Sequence, residues 1–319
     1  KLWQLNGELV RTFHGHQNIV RSVCFSPDGS LIASASNDQT VRLWRTDGSL
    51  LQIFDEHYNG VRHVSFSPDG KLLISAGNDR TVRIWRLDGT LAIALYGHRA
   101  RVMSVSLAPE SDLIAAASGR TVHLWRPDGD AVATLQGHDA RILDVQFSGD
   151  GQRFATASAD GTVKLWHRHG NLLKTFRGHE ARVRGVRFVE IEGEPGMESE
   201  VHLLSYSADR TVRLWRSDGN PVRVLRGQRS PICYANVFAG QVVVVEEAGR
   251  VRSWDLAALA ESDELEPQEF SLNGRPSPAL QTELDLAALL TEGCQWLSDY
   301  LTYSSEVSAS DRAICESQP

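Results

Sequence analysis

Five histidines, His16, His57, His98, His138 and His179, recur along this chain, four of them directly after a glycine and His57 after Glu56. Imidazoles in such number invite two chemistries, metal binding and proton transfer. Their spacing speaks against both. Four precede a tryptophan by 27 or 28 residues and His179, ahead of an insertion, by 36, so they mark a repeat and not a coordination sphere. Cys24, Cys233, Cys294 and Cys315 are irregularly spaced with no Cys-x-x-Cys, which indicates neither a disulfide framework nor a zinc site. No Gly-x-Ser-x-Gly elbow, His-Glu-x-x-His helix, dinucleotide fingerprint, P-loop or His-Arg-Asp motif occurs. Catalysis, cofactor and metal are therefore not expected here, and what remains is arginine. Aligned at Gly-His, the repeats place Ile19, Gly60, Arg101, Arg141, Arg182 and Pro231 at one equivalent position, and three consecutive repeats thus present arginine together. Arg21, Arg62 and Arg184 occupy a neighbouring position. Arginine forks bind carboxylates bidentately and steer acidic partners, so the expected ligand is a protein or acidic peptide, against the alternative of solvated charge.

The elements that position these residues are legible in the tryptophans. Trp3, Trp44, Trp85, Trp125, Trp166, Trp215 and Trp254 are separated by 41, 41, 40, 41, 49 and 39 residues. A period in the low forties with Gly-His early and an apolar strand ending in Trp is the pattern of four-stranded propeller blades, an all-β fold. Residues 15 to 54 show one unit. Val20 to Phe25 is the first strand, Ser26-Pro-Asp-Gly29 a turn, Leu31 to Ser36 the second strand and Asn37-Asp38-Gln39 a tight turn. Thr40 to Trp44 is the third strand and Ser49 to Phe54 the fourth. Alternation sends Val41 and Leu43 one way, Arg42 and Trp44 the other.

Over residues 1 to 255 the chain resembles the WD-repeat family. The resemblance implies a platform for partners and, within each blade, a hydrogen-bonded set built from the Gly-His imidazole, a second-strand Ser or Thr, the turn Asp and the Trp. In the first unit these are His16, Ser34 or Ser36, Asp38 and Trp44. The corresponding residues are His57, Asp79 and Trp85; His98 and Trp125; His138, Asp160 and Trp166; and His179, Asp209 and Trp215. Two repeats depart from the pattern. The third reads Ser118-Gly-Arg120 with no turn Asp, and the sixth has Gln228 for His and Ala248 for Asp, so those two blades are expected to be least stable locally. An insertion, Val189 to Val201, carries five glutamates between first and second strands, and a protruding acidic loop is expected there.

Lys1-Leu-Trp3 reads as the end of a third strand and Glu8 to Phe13 as a fourth. Six sets of first-to-third strands follow, the last ending at Trp254-Asp255, after which no fourth strand is evident. Residues 8 to 13 are expected to close that last blade, removing an exposed edge, with six blades recognisable here and seven in a longer parent. Residues 256–281, acidic and holding Pro267, Pro276 and Pro278, read as a linker. In 282–319, Leu286, Leu289, Leu290, Leu297 and Leu301 recur at helical spacing, giving a helical tail expected to dock on the propeller.

Charge divides the same way. Residues 1–254 hold 31 basic against 27 acidic side chains, +4, and residues 255–319 hold 2 against 13, or −11. A +4 spread over the repeats is no footprint for nucleic acid. No apolar run approaches the roughly 20 residues of a membrane helix, and no signal sequence opens the chain, so cytoplasmic residence is expected. The tail segment Leu289-Leu-x-x-Gly293-Cys294-x-Trp296-Leu297-x-Asp299-Tyr300-Leu301 resembles the end of large cyanobacterial multidomain WD-repeat proteins, in which repeats follow a STAND-type NTPase or a kinase. That implies a non-catalytic sensor or scaffold region of a larger bacterial signalling protein. A substrate-docking or autoregulatory domain of an upstream kinase or NTPase and a stand-alone scaffold are the alternatives. Contact of the arginines with the acidic tail, the insertion or an upstream domain is a further expectation.

Overall fold

The computed structural model of the chain describes residues 1–3, 9–191, 200–238, 240–256 and 268–271. It is an all-β, six-bladed propeller preceded by a hairpin of β1 (Leu2–Trp3) and β2 (Leu9–Arg11). Blade 1 holds β3 (Val20–Phe25), β4 (Leu31–Ser36), β5 (Val41–Arg45) and β6 (Leu50–Phe54), and blade 2 holds β7 (Val61–Phe66), β8 (Leu72–Gly77), β9 (Val82–Arg86) and β10 (Leu91–Leu95). Blade 3 holds β11 (Val102–Leu107), β12 (Ile114–Ser118), β13 (Thr121–Trp125) and β14 (Ala131–Gln136), and blade 4 holds β15 (Ile142–Phe147), β16 (Arg153–Ser158), β17 (Val163–His167) and β18 (Leu172–Phe176). Blade 5 comprises β19 (Val183–Ile191), β20 (Glu200–Ser207), β21 (Val212–Arg216) and β22 (Pro221–Leu225). Blade 6 comprises β23 (Ile232–Phe238), β24 (Gln241–Glu246), β25 (Arg250–Asp255) and β26 (Gln268–Ser271).

Each blade is an antiparallel meander in chain order, and consecutive first strands run beside one another along the axis. The core lies between blades. Ala33, Ala35, Val41, Leu43 and Phe54 of blade 1 pack on Val61, Val64, Phe66, Leu73 and Trp85 of blade 2, and the same arrangement recurs through blades 5 and 6. Val41 and Leu43 thus face the next blade, while Trp44 packs the other way against Leu2, Phe25 and Ile32. Alanines in the second strands let neighbouring sheets approach closely. Such interfaces make stability a sum over neighbours.

Three expectations need correction. Residues 9–11 do not close the last blade. β2 pairs with β1, Trp3 opposite Leu9, in the register that sets Trp44 opposite Leu50. β26, inside the segment expected as linker, supplies the fourth strand of blade 6 by pairing with β25. A local hairpin partner was already available to β2, and the edge of β25 is covered by chain that returns to it. The insertion, too, is less of a loop than expected, because β19 and β20 extend into it as paired strand, with Ile191 opposite Glu200. The helical tail of 282–319 lies outside the described residues.

Candidate functional site: an arginine-rich axial opening

At Gly15 of the first Gly-His pair, glycine has a conformational cause. It sits at φ +155°, which side chains rarely adopt, and a Cβ there would press on the Arg42 guanidinium and stand 3.1 Å from the Trp44 ring. That guanidinium lies over the Trp44 ring at 6.0 Å, as Arg83 lies over Trp85 and Arg213 over Trp215. The third-strand arginines are therefore packed against their own tryptophans.

Beside them the histidines make a repeated chain of hydrogen bonds. In blade 1, His16 Nδ1 lies 2.7 Å from Asp38 Oδ2 and Nε2 lies 2.7 Å from Ser34 Oγ, which also accepts from Trp44 Nε1 at 2.8 Å. Ser34, and not Ser36, is the bridging hydroxyl. Ser75, Thr156 and Ser205 take its place for His57 and Trp85, His138 and Trp166, and His179 and Trp215, with Asp79, Asp160 and Asp209 on the other nitrogen. Burial lowers the His16 pKa against the opposing pull of Asp38, so the ring is neutral, with Nδ1–H donating to the carboxylate and Nε2 accepting from the hydroxyl. Burial would raise Asp38, but hydrogen bonds from Thr40, His16 and backbone N–H groups outweigh it and hold the carboxyl at about 2. With every ring nitrogen engaged, these imidazoles are positioned for packing.

Blade 3 lacks this chain. His98 and Trp125 keep their places, with ring centroids 5.9 Å apart against 6.3 Å for His16 and Trp44, yet both His98 nitrogens and Trp125 Nε1 are buried without a hydrogen-bond partner among the described residues. Ala116 stands where the bridging hydroxyl belongs, and the shortened turn carries no aspartate. Membership of His98 and Trp125 in such a set is thereby corrected. In blade 6 the replacement is a carboxylate from a different strand position. Glu246 Oε2 accepts from Arg229 N and Ser230 N, both at 3.0 Å, while Arg252 lies 3.4 Å from Oε1.

The structure brings the other candidates to one end of the axis. A cavity of about 290 Å³ opens there, lined among others by Arg21 and Arg62, from one of the two arginine positions in blades 1 and 2, and by Arg182 and Arg184, which fill both positions in blade 5. Arg101 and Arg141 are not in its lining. They stand close enough that Arg101, its pKa lowered first by partial burial, is lowered further by the charges of Arg141 and Arg21. Asn37 and Asn78 accept from Nε of Arg21 and Arg62 at 3.0 and 2.8 Å, fixing two forks in the same orientation. Arg184 pairs with Glu247 of blade 6. By contrast, the guanidinium groups of Arg101, Arg141 and Arg182 make no hydrogen bond or ion pair with any described residue.

Below this mouth lies an inter-blade group that sequence reasoning missed. Asp144 Oδ2 accepts from Arg187 Nη1 at 2.6 Å and Val186 N at 3.2 Å, and Oδ1 accepts from Ser104 Oγ at 2.9 Å. Three blades are tied together at that carboxylate. The Arg187 guanidinium also faces the Tyr206 and Tyr234 rings at 5.9 and 5.5 Å. His63, whose pKa burial pushes down to about 4, is neutral beside them. A column-by-column comparison of first strands carries the signal. Asp144 stands where other blades have Ser22, His63 or Ser104, and Arg187 where they have Cys24, Ser65 or Ser106.

The described ends of the acidic insertion, Ile191 and Glu200, lie at the far end of β19 from the arginines. β19 starts at Val183, beside Arg182, and runs nine residues to Ile191, about 30 Å away at 3.3 Å per residue. Among the described residues no three His, Cys, Asp or Glu side chains gather as a metal site.

A family model described as the IFT122 first beta-propeller matches residues 45–268, more than two thirds of the chain, and one for the WD domain, G-beta repeat, matches residues 7–45. Among curated proteins, similarity extends to nuclear distribution protein nudF of Emericella nidulans, 48% identical over 42 residues, which is 13% of this chain and 10% of that protein. Nuclear distribution protein PAC1 of Tuber melanosporum is 43% identical over 42 residues, 13% of this chain and 9% of its own length. The matched stretch thus spans about a tenth of these relatives. With propeller models covering the same strands that form its blades, the chain belongs to the WD40-repeat β-propellers, in the family of the IFT122 first beta-propeller.

Proposed function

We propose that this chain is a non-catalytic protein-interaction platform whose axial opening receives an acidic segment of a partner protein. The observation that carries this reading is the trio Arg101, Arg141 and Arg182. Three consecutive blades hold guanidinium groups with no described partner around a mouth that already holds Arg21 and Arg62. Like charges gathered on a rigid ring repel one another, and an anionic ligand relieves that repulsion while gaining bidentate contacts. WD40 propellers are generally scaffolds, which accords with a binding role. The tail motif from Leu289 to Leu301 supports placing the platform in a larger bacterial signalling protein, as its sensor or scaffold region.

The test is fluorescence anisotropy with fluorescein-labelled hexaglutamate and the full chain, beside the triple variant R101E/R141E/R182E. Binding at low salt that weakens at least tenfold in the variant, and falls with added salt, is the expected result. Affinity unchanged by the reversal overturns it.

A further inference from the structure

We infer that the acidic residues 272–319 of this same chain occupy the arginine face in cis, so that an acidic partner must displace them. This rests on the acid-recognition reading above and names what holds the face when no partner is bound. The direction of β26 is the first reason. Arg250 pairs with Ser271 and Ser253 with Gln268, so the chain leaves β26 beside Arg250, next to the turn of Glu247 to Gly249. That turn belongs to the arginine face. Glu247 N donates to Pro231 O at 2.8 Å, at the position equivalent to Arg101, Arg141 and Arg182, and its carboxylate holds Arg184. Ser271 therefore ends β26 on the face that holds the guanidinium groups without a partner among the described residues.

Charge and reach are the other two reasons. Residues 272–319 carry seven carboxylates against Arg275 and Arg312, a net −5 facing the arginine ring. From β26 inward to β23 is three strand spacings, about 14 Å. The eleven residues between Ser271 and Glu283 span up to about 36 Å. A tether of that kind holds its carboxylates near the arginines at an effective concentration on the order of 1 mM, ahead of a free competitor at micromolar concentration.

The experiment compares the full chain with a full-length variant neutralised in the segment, E283Q/D285N/E292Q/D299N, using labelled hexaglutamate as probe. The neutralised chain is expected to bind at least tenfold more tightly, at every protein concentration, with the gain erased by adding R101E/R141E/R182E. In a second measurement, a nitroxide on Cys294 of a C24S/C315S chain, in which the remaining Cys233 is buried, should broaden the Nε–Hε signals of Arg101, Arg141 and Arg182 at low salt and release them at high salt. Equal affinity of both chains, still dependent on the arginines, overturns the cis contact and leaves acid recognition standing. A gain that varies with protein concentration assigns the occupant to a second copy and also overturns it. No hexaglutamate binding by either chain overturns both readings.

Discussion

A hydroxyl is the smallest part on which a blade depends. Thr156 Oγ1 receives Trp166 Nε1–H at 3.0 Å and lies 2.8 Å from His138 Nε2, with the whole group buried. Thr156→Val keeps the shape and removes both bonds, leaving a buried donor and a buried acceptor unmet. A loss of roughly 1–3 kcal/mol in urea unfolding is expected, and an unchanged midpoint would contradict it. Protonation strikes the same chain of bonds. His16, His138 and His179 are lowered chiefly by burial, against the pull of their aspartates. Asp38, Asp79 and Asp160 are held at about 2 and Asp209 lower still, as hydrogen bonds from the histidine and the turn threonine overcome burial. Both kinds of group have folded pKa values below their unfolded ones, so below about pH 6.5 the unfolded chain binds protons first at histidine, and below about pH 4 at aspartate as well. The stability these groups give is complete above pH 7 and lost on acidification. Calorimetry from pH 8 to pH 3 should show Tm level above 7, falling below 6.5 and falling more steeply below 4.

At the scale of the element, blade 3 is an experiment already half performed. His98 and Trp125 hold the geometry of their counterparts without the hydroxyl that joins them elsewhere, so ring packing and not hydrogen bonding places the pair. Ala116→Ser puts an oxygen between His98 Nε2 and Trp125 Nε1. A gain of about 1 kcal/mol is expected, and a loss would mean that the buried site cannot hold the extra atom. This weakness was legible, because a repeat exposes its own departures once its columns are aligned. Strands and turns were legible for a related reason. Ser-Pro-Asp-Gly and Asp-Gly need particular backbone angles, and interior strands must alternate to bury one face. β26 escaped because an outermost strand needs only its backbone, and Gln268–Ser271 carries neither a tryptophan nor a turn signature. The lengthening of β19 and β20 was hidden by glutamates, which read as loop. Asp144 and Arg187 escaped because their partnership crosses blades, which the repeat pattern within one blade does not show.

Across the whole molecule each blade leans mainly on its neighbours, so a weak blade is shielded by the strong ones beside it. Blade 3 has complete sets of bonds on both sides, in blades 2 and 4. Its interfaces are built on apolar contacts, with Val102, Ile114 and Ala116 packed on Ile74 and Val82 of blade 2, and Ala115, Ala117 and Val122 on Val145 and Phe154 of blade 4, the latter joined also by the Ser104–Asp144 hydrogen bond. Blade 6 has no such symmetry of support. Blade 5 flanks it through Leu204, Val212 and Leu214, while Gln228 of blade 6 has both amide atoms buried without a partner among the described residues, and a four-residue strand forms the outer edge of blade 6. Nearest-neighbour coupling therefore separates two blades that look equally degraded in sequence. Hydrogen exchange read by mass spectrometry should show the amides of β24 and β25 opening first, those of β12 and β13 next, and those of β8 and β16 last. Exchange in blade 3 as fast as in blade 6 would mean that the missing bonds, and not the neighbours, set local stability.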